Sequence, residues 1–136
     1  MITRRRVFAV LPFRATFLAA IVALASGSLQ AHHPPATTYR TDERATVDGV
    51  IVSIVIRSPH SFIEVQAPDR QQHMRLWAVE CGDSRAIRAL VEAGALKPGD
   101  RVVITGQPAR DDGQRRVRLL SLVRPSDGWQ WREATR

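Results

Sequence analysis

Hydrophobic and β-branched residues are concentrated in the middle of the chain, where their spacing predicts three successive strands. Residues 47–56 (VDGVIVSIVI) are dense in side chains that fit a pleated surface, so they predict a long first strand with a bulge or bend at Gly49. Apolar and polar residues alternate over residues 61–67 (SFIEVQA), a pattern typical of a half-buried strand. Residues 73–80 (HMRLWAVE) continue this alternation and predict the third strand.

The apolar spacing then changes to that of a helix. One face of a short predicted helix is formed by Ala86, Ile87, Leu90 and Val91. Asp83 or Ser84 can cap its first turn by accepting a hydrogen bond from an unpaired backbone amide. Gly94 can adopt the left-handed conformation that ends a helix.

Two further strands follow the helix. Residues 101–107 (RVVITGQ) predict the fourth strand, and residues 116–123 (RVRLLSLV) predict the fifth. The turn at residues 111–113 (DDG) joins them, because aspartate and glycine tolerate the positive backbone angles of a hairpin. The apolar phase slips between Leu119 and Leu120, which indicates a bulge or burial on both faces.

The resulting order is strand, strand, strand, helix, strand, strand. Closing five such strands into a barrel hides their apolar face and removes exposed edges. We therefore expect a mainly β protein with a five-stranded OB-like barrel over residues 45–124 and one short helix. An open α+β sheet with the helix on one face is the alternative. Residues 125–136 form a C-terminal tail, in which Trp129 and Trp131 are expected to pack back on the barrel.

The first 31 residues have the pattern of an export signal. Residues 4–6 (RRR) supply a positive start, residues 17–25 (FLAAIVALA) an apolar core, and Ala31 a small residue before a cleavage point. This core is shorter than the roughly 20 residues that a membrane-spanning helix needs. We expect a cleaved signal peptide over residues 1–31, a periplasmic location, and no stable membrane span after cleavage.

The route of export is open between the general secretory pathway and the twin-arginine pathway, since arginines precede an apolar pair. The mature chain then begins with an extended arm over residues 32–44 (HHPPATTYRTDER). Pro34 and Pro35 lack backbone donors and predict that this arm is not helical.

Without the predicted signal, the composition is that of an ordinary small globular domain. The 136-residue chain has a formal net charge of +7, but four of its arginines lie in the predicted signal, so the mature domain is only mildly basic. The single cysteine, Cys81, excludes an internal disulfide framework and a cysteine-cluster zinc site. Burial beside the helix start is expected for Cys81, with a disulfide between two chains as the first alternative.

The histidines are the strongest candidates for chemistry. Cleavage after Ala31 would free the amino group of His32, and an amine and an imidazole together can chelate Cu(II). Cleavage after Gln30 would instead leave His33 as the third residue of an Ala-His-His start, which could also hold Cu(II) or Ni(II). With cleavage after Ala31, a further imidazole such as that of His60 would complete a square-planar nitrogen set. The alternative is that the paired histidines bind nothing specifically.

His60 follows Pro59 in the predicted turn between the first two strands. Proline fixes its own backbone angle and favours an extended Ser58, so His60 is held in a defined direction. This suits a ligand, or else a structural histidine that secures the corner. His73 is expected to be exposed to solvent.

Several short motifs in this order resemble a family of small exported bacterial proteins, known only as a domain of unknown function. They are Ala-His-His at residues 31–33, Ser-Pro-His at residues 58–60, and Leu-Lys-Pro-Gly-Asp at residues 96–100, followed by a valine-rich strand with Gly106. The likeness covers about residues 31–124. This chain has Ser58 where the family usually has asparagine, and Pro34 where serine often stands. The resemblance implies export and a small β-domain, with no established activity.

No catalytic motif is present: there is no glycine elbow around a serine and no glycine-rich phosphate loop. We therefore expect an exported binding or accessory module and not an enzyme. Its partner could be a small ligand, a metal ion or a periplasmic protein. An adaptor that uses Trp129 and Trp131 for protein contacts, without metal, is the alternative function. Nucleic acid is not expected as a partner, because export removes the chain from it.

Overall fold

The computed structural model describes residues 35–134. The predicted signal over residues 1–31 lies outside these residues, as do His32 and His33. None of the helices in the described range is long and apolar enough to cross a membrane.

Six strands and two helices make up the described chain. The helices are α1 (Pro35–Thr38) and α2 (Ser84–Glu92), and the strands are β1 (Ala45–Val55), β2 (Ser61–Pro68), β3 (Met74–Cys81), β4 (Arg101–Pro108), β5 (Arg116–Arg124) and β6 (Trp129–Arg132). The sheet has the order β3-β2-β1-β4-β5-β6. A parallel pairing between β3 and β5 closes the first five strands into a barrel, which confirms the predicted OB-like fold.

β1 is long enough to take part in both halves of the barrel. Its first half pairs with β4 and its second half with β2. The bulge or bend predicted at Gly49 lies further along the strand, where the register shifts between Ile51 and Ser53. Gly49 instead permits a close approach of strands, since a Cβ there would lie 2.3 Å from the backbone oxygen of Gln66.

The predicted phase slip in β5 is confirmed as a bulge. Thr105 pairs with Ser121 and Gly106 with Leu119, so Leu120 is the extra residue. Leu119 and Leu122 both point into the core, while Leu120 is only half-buried. The bulge thus turns one leucine out of the barrel.

Inward side chains from all five barrel strands fill the core, joined by Ile87 of α2 and by Leu96. The predicted cap of α2 is Asp83, whose side chain accepts hydrogen bonds from the backbone amides of Arg85 and Ala86. Gly94 follows the helix with a φ of 69°, as its position predicted.

The two ends of the described chain are more ordered than the pattern predicted. Residues 35–38 form one helical turn where an extended arm was expected, because proline is tolerated in the first turn of a helix. Tyr39 then pairs with Ala109 and is buried. In the C-terminal tail, residues 129–132 add the short strand β6 to β5.

Candidate functional site

A buried carboxylate lies on the outside of the barrel wall. Glu80 follows Val79 and precedes Cys81, both of which point into the core, so its own side chain points outward. Even so, Glu80 is only 7% exposed. Burial of a charged group is costly unless other groups pair with it, so the residues around Glu80 form a candidate site.

Three side chains contact this carboxylate. The hydroxyl of Tyr39 and the guanidinium of Arg116 both donate hydrogen bonds to its Oε2 atom. The Nδ1 atom of His60 lies 3.1 Å from its Oε1 atom. We call these four residues the Glu80 cluster.

The fold brings the members of the Glu80 cluster together from four distant segments. Barrel closure places Arg116 of β5 opposite Ala78 of β3, two residues before Glu80. Tyr39 arrives from the N-terminal arm, and His60 from the turn between β1 and β2.

The turn that carries His60 is fixed to the start of α2. The Ser84 hydroxyl shares its one proton between the backbone oxygens of Arg57, at 2.8 Å, and Pro59, at 3.2 Å. The Ser61 hydroxyl donates a third bond to the oxygen of Arg57 at 3.4 Å. His60 is therefore held at its backbone as well as at its ring.

Charge and aromatic contacts organise the cluster. The guanidinium of Arg116 lies 5.1 Å from the ring centre of Phe62 and 5.7 Å from that of Tyr39, within the range of a cation–π contact. Burial is the largest single effect and lowers the pKa of the Arg116 guanidinium, but the interactions with Glu80 and Tyr39 together outweigh it, so the pKa is raised. Burial and the neighbouring carboxylate raise the pKa of the Tyr39 hydroxyl, which keeps it a proton donor.

The ring of His60 remains accessible from outside. Its side chain is 46% exposed, whereas that of Glu80 is 10% exposed. The cluster therefore offers one imidazole edge to solvent and holds the other edge against a buried carboxylate. Within residues 35–134, no group of three or more histidine, cysteine, aspartate or glutamate side chains could hold a metal ion alone.

The other predicted candidates do not belong to this cluster. His73 is exposed, as expected, at the start of β3. Cys81 is fully buried, which confirms the predicted burial, and desolvation raises the pKa of its thiol. Trp129 and Trp131 pack against the core from β6, as expected, so they do not form an exposed patch.

The prominent exposed apolar residues lie elsewhere, on β1 and β3. They are Val50, Val52, Met74 and Leu76, each between 42% and 56% exposed. Gln66 of β2 pairs with Val50 on one side and with Leu76 on the other, so Val50 and Leu76 flank a polar residue in one row across three strands. The alternation of β3 contains Met74 and Leu76 in its outward phase, but a local pattern does not show that they lie near Val50 and Val52 of β1.

The fold and the site thus define a small OB-like barrel with a buried carboxylate on its outer face. The chain belongs to a family of unknown function (DUF6152), whose model matches residues 19–118. This confirms the predicted resemblance to a domain of unknown function. Among curated proteins, none matches the chain.

Solved structures similar to this chain are single-stranded DNA binding proteins. Mitochondrial Rim1 from S. cerevisiae has a TM-score of 0.48 and 13% identity, with 61% of this chain and 93% of that chain covered. SSBb from Mycobacterium smegmatis has a TM-score of 0.42 and 20% identity, with 68% of this chain and 97% of that chain covered. At these identities the likeness concerns the fold alone. The expectation that nucleic acid is not a partner stays a prediction.

Proposed function

We propose that this protein is an exported accessory module that binds Cu(II) through His60 and the histidines at its mature N-terminus. The observation that supports the proposal best is the 3.1 Å separation between Nδ1 of His60 and Oε1 of Glu80. A histidine that binds a metal usually donates its other ring N–H to a carboxylate, which fixes the ring and strengthens the ligand. Glu80 is suited to that role, because Arg116 and Tyr39 anchor it.

The contacts of Tyr39 support the part of the proposed site that the N-terminal histidines supply. Tyr39 binds the same carboxylate as His60, so the chain that leads to the N-terminus is attached beside His60. In sequence, His33 lies two positions before the first residue of the helical turn α1. An amine, one or two N-terminal imidazoles and His60 make the nitrogen-rich set that Cu(II) prefers.

A competition titration with Cu(II) tests this proposal on the exported protein with its authentic N-terminus. We expect one equivalent to bind, and His60→Ala to weaken binding more than about tenfold through loss of a ligand. His73→Ala is the matched control, because it removes an exposed histidine outside the Glu80 cluster. Equal affinity of the His60 and His73 variants would remove His60 from the site.

A protein-interaction adaptor is the second candidate function. The exposed apolar side chains on β1 and β3, which flank Gln66 of β2, favour it, since a cluster of exposed apolar residues often marks an interface. We expect a specific periplasmic partner to be lost on Leu76→Ser and retained on Trp129→Ala. Loss on the tryptophan variant alone would place the interface at β6 instead.

A further inference from the structure

A recess lies where the end of β3, the middle of β5 and the residues after β6 meet, and none of the Glu80 cluster residues lines it. It has a volume of about 260 Å³. Its lining consists of Gly82, Asp83, Gln107, Arg118, Leu120, Glu133 and Ala134. The family resemblance and the proposed copper site account for none of these residues.

Two features of the backbone create this recess. The bulge turns Leu120 out of the core, and its backbone oxygen accepts a hydrogen bond from the amide of Glu133 at 2.9 Å. Gly82 permits the Glu133 side chain to approach the backbone, because a Cβ there would lie 2.6 Å from Oε1 of Glu133 and 3.4 Å from Nη2 of Arg118. The carboxylate of Glu133 and the guanidinium of Arg118 therefore both line the recess beside Gly82.

The charges around this space are incompletely matched. Oε1 of Glu133 accepts a hydrogen bond from the amide of Asp83 at 2.9 Å, and burial raises the pKa of the Glu133 carboxyl. The carboxylate of Asp83 caps α2. The positive charge of Arg118 lowers the pKa of the Glu133 carboxyl, but its guanidinium makes no hydrogen bond or ion pair with the part of the chain that the structure describes.

We propose that the recess binds a small amino-carboxylate such as a free α-amino acid. Arg118 would receive the ligand's carboxylate, and Glu133 its ammonium group. A simple anion would face the carboxylates of Glu133 and Asp83, while a simple amine would face the guanidinium of Arg118. The small volume and the apolar side chains of Leu120 and Ala134 favour a compact ligand with a short apolar group.

Amide chemical-shift titration of the metal-free protein tests this inference independently of copper. The probes are L-alanine, a panel of other free amino acids, and acetate and methylammonium as matched halves of the ligand. We expect saturable shifts at Gly82, Leu120 and Ala134 with at least one amino acid, and roughly tenfold weaker binding of either half. Failure of the whole panel to saturate, or equal binding of acetate, would overturn the proposal.

Two variants locate the ligand. Arg118→Gln should weaken binding by roughly tenfold or more, because it removes a charged hydrogen-bond donor. Arg88→Gln, on the exposed side of α2, is the matched control and should leave binding unchanged. The amide spectrum of each variant also shows whether it is folded. Unchanged affinity in a folded Arg118→Gln protein would contradict the assignment, whereas loss of copper binding in His60→Ala would leave this result unaffected.

Discussion

Replacing Glu80 by glutamine removes one charge from the Glu80 cluster and keeps the shape of the side chain. The Glu80 side chain is 10% exposed and that of Arg116 is 32% exposed, so the pair is partly but not fully shielded from water. Breaking a fully buried ion pair costs about 3–5 kcal/mol, and partial exposure of Arg116 lowers that figure. The Tyr39 hydroxyl can still donate to the amide oxygen. We expect a loss of about 2–3 kcal/mol in the free energy of unfolding at neutral pH.

Urea denaturation measures this loss. An unchanged dependence of the free energy of unfolding on urea concentration would show that the folded and unfolded states keep their compactness. Glu92→Gln, which removes an exposed carboxylate at the end of α2, is the matched control and should change stability by only a few tenths of a kcal/mol. A double-mutant cycle with Arg116→Gln should show coupling of about 1–3 kcal/mol. A loss below about 0.5 kcal/mol in Glu80→Gln, or additive effects in the cycle, would refute the view that this carboxylate organises the site.

Three further predictions concern other parts of the fold. Tyr39→Phe removes one donor to Glu80 and should cost about 1–2 kcal/mol, with faster amide exchange at Arg40; unchanged exchange would contradict the anchoring of the arm. Gly49→Ala should cost about 1–3 kcal/mol in a urea melt, because its Cβ would lie 2.3 Å from a backbone oxygen, and a neutral effect would contradict this packing. The Cys81 thiol is buried, and burial raises its pKa, so it should react with a disulfide reagent at pH 8 only as fast as the protein unfolds. Immediate reaction of the native protein would show that the thiol is accessible.

The barrel could be predicted because its elements carry local signals. The alternation in β2, the helical spacing before Gly94 and the phase slip at Leu120 each reflect which side of the chain meets the core. The strand β6 could not be predicted in this way, since four residues are too few to show a period. Its two tryptophans indicated packing but not pairing with β5.

The Glu80 cluster depends on long-range contacts, which no local pattern records. Tyr39 and Glu80 are 41 positions apart, and Arg116 is 36 positions beyond Glu80. Glu80 occupies an outward position of β3, where a charged residue normally faces water. His60 alone could be identified in advance, because the proline before it restricts the turn.

Pulsed electron paramagnetic resonance of the exported protein loaded with one equivalent of Cu(II) tests the proposed site most directly, since it detects the remote ring nitrogen of each coordinated imidazole. We predict signals from two or more imidazoles in the native protein and in His73→Ala, with one fewer in His60→Ala. Identical spectra in all three proteins would contradict coordination by His60.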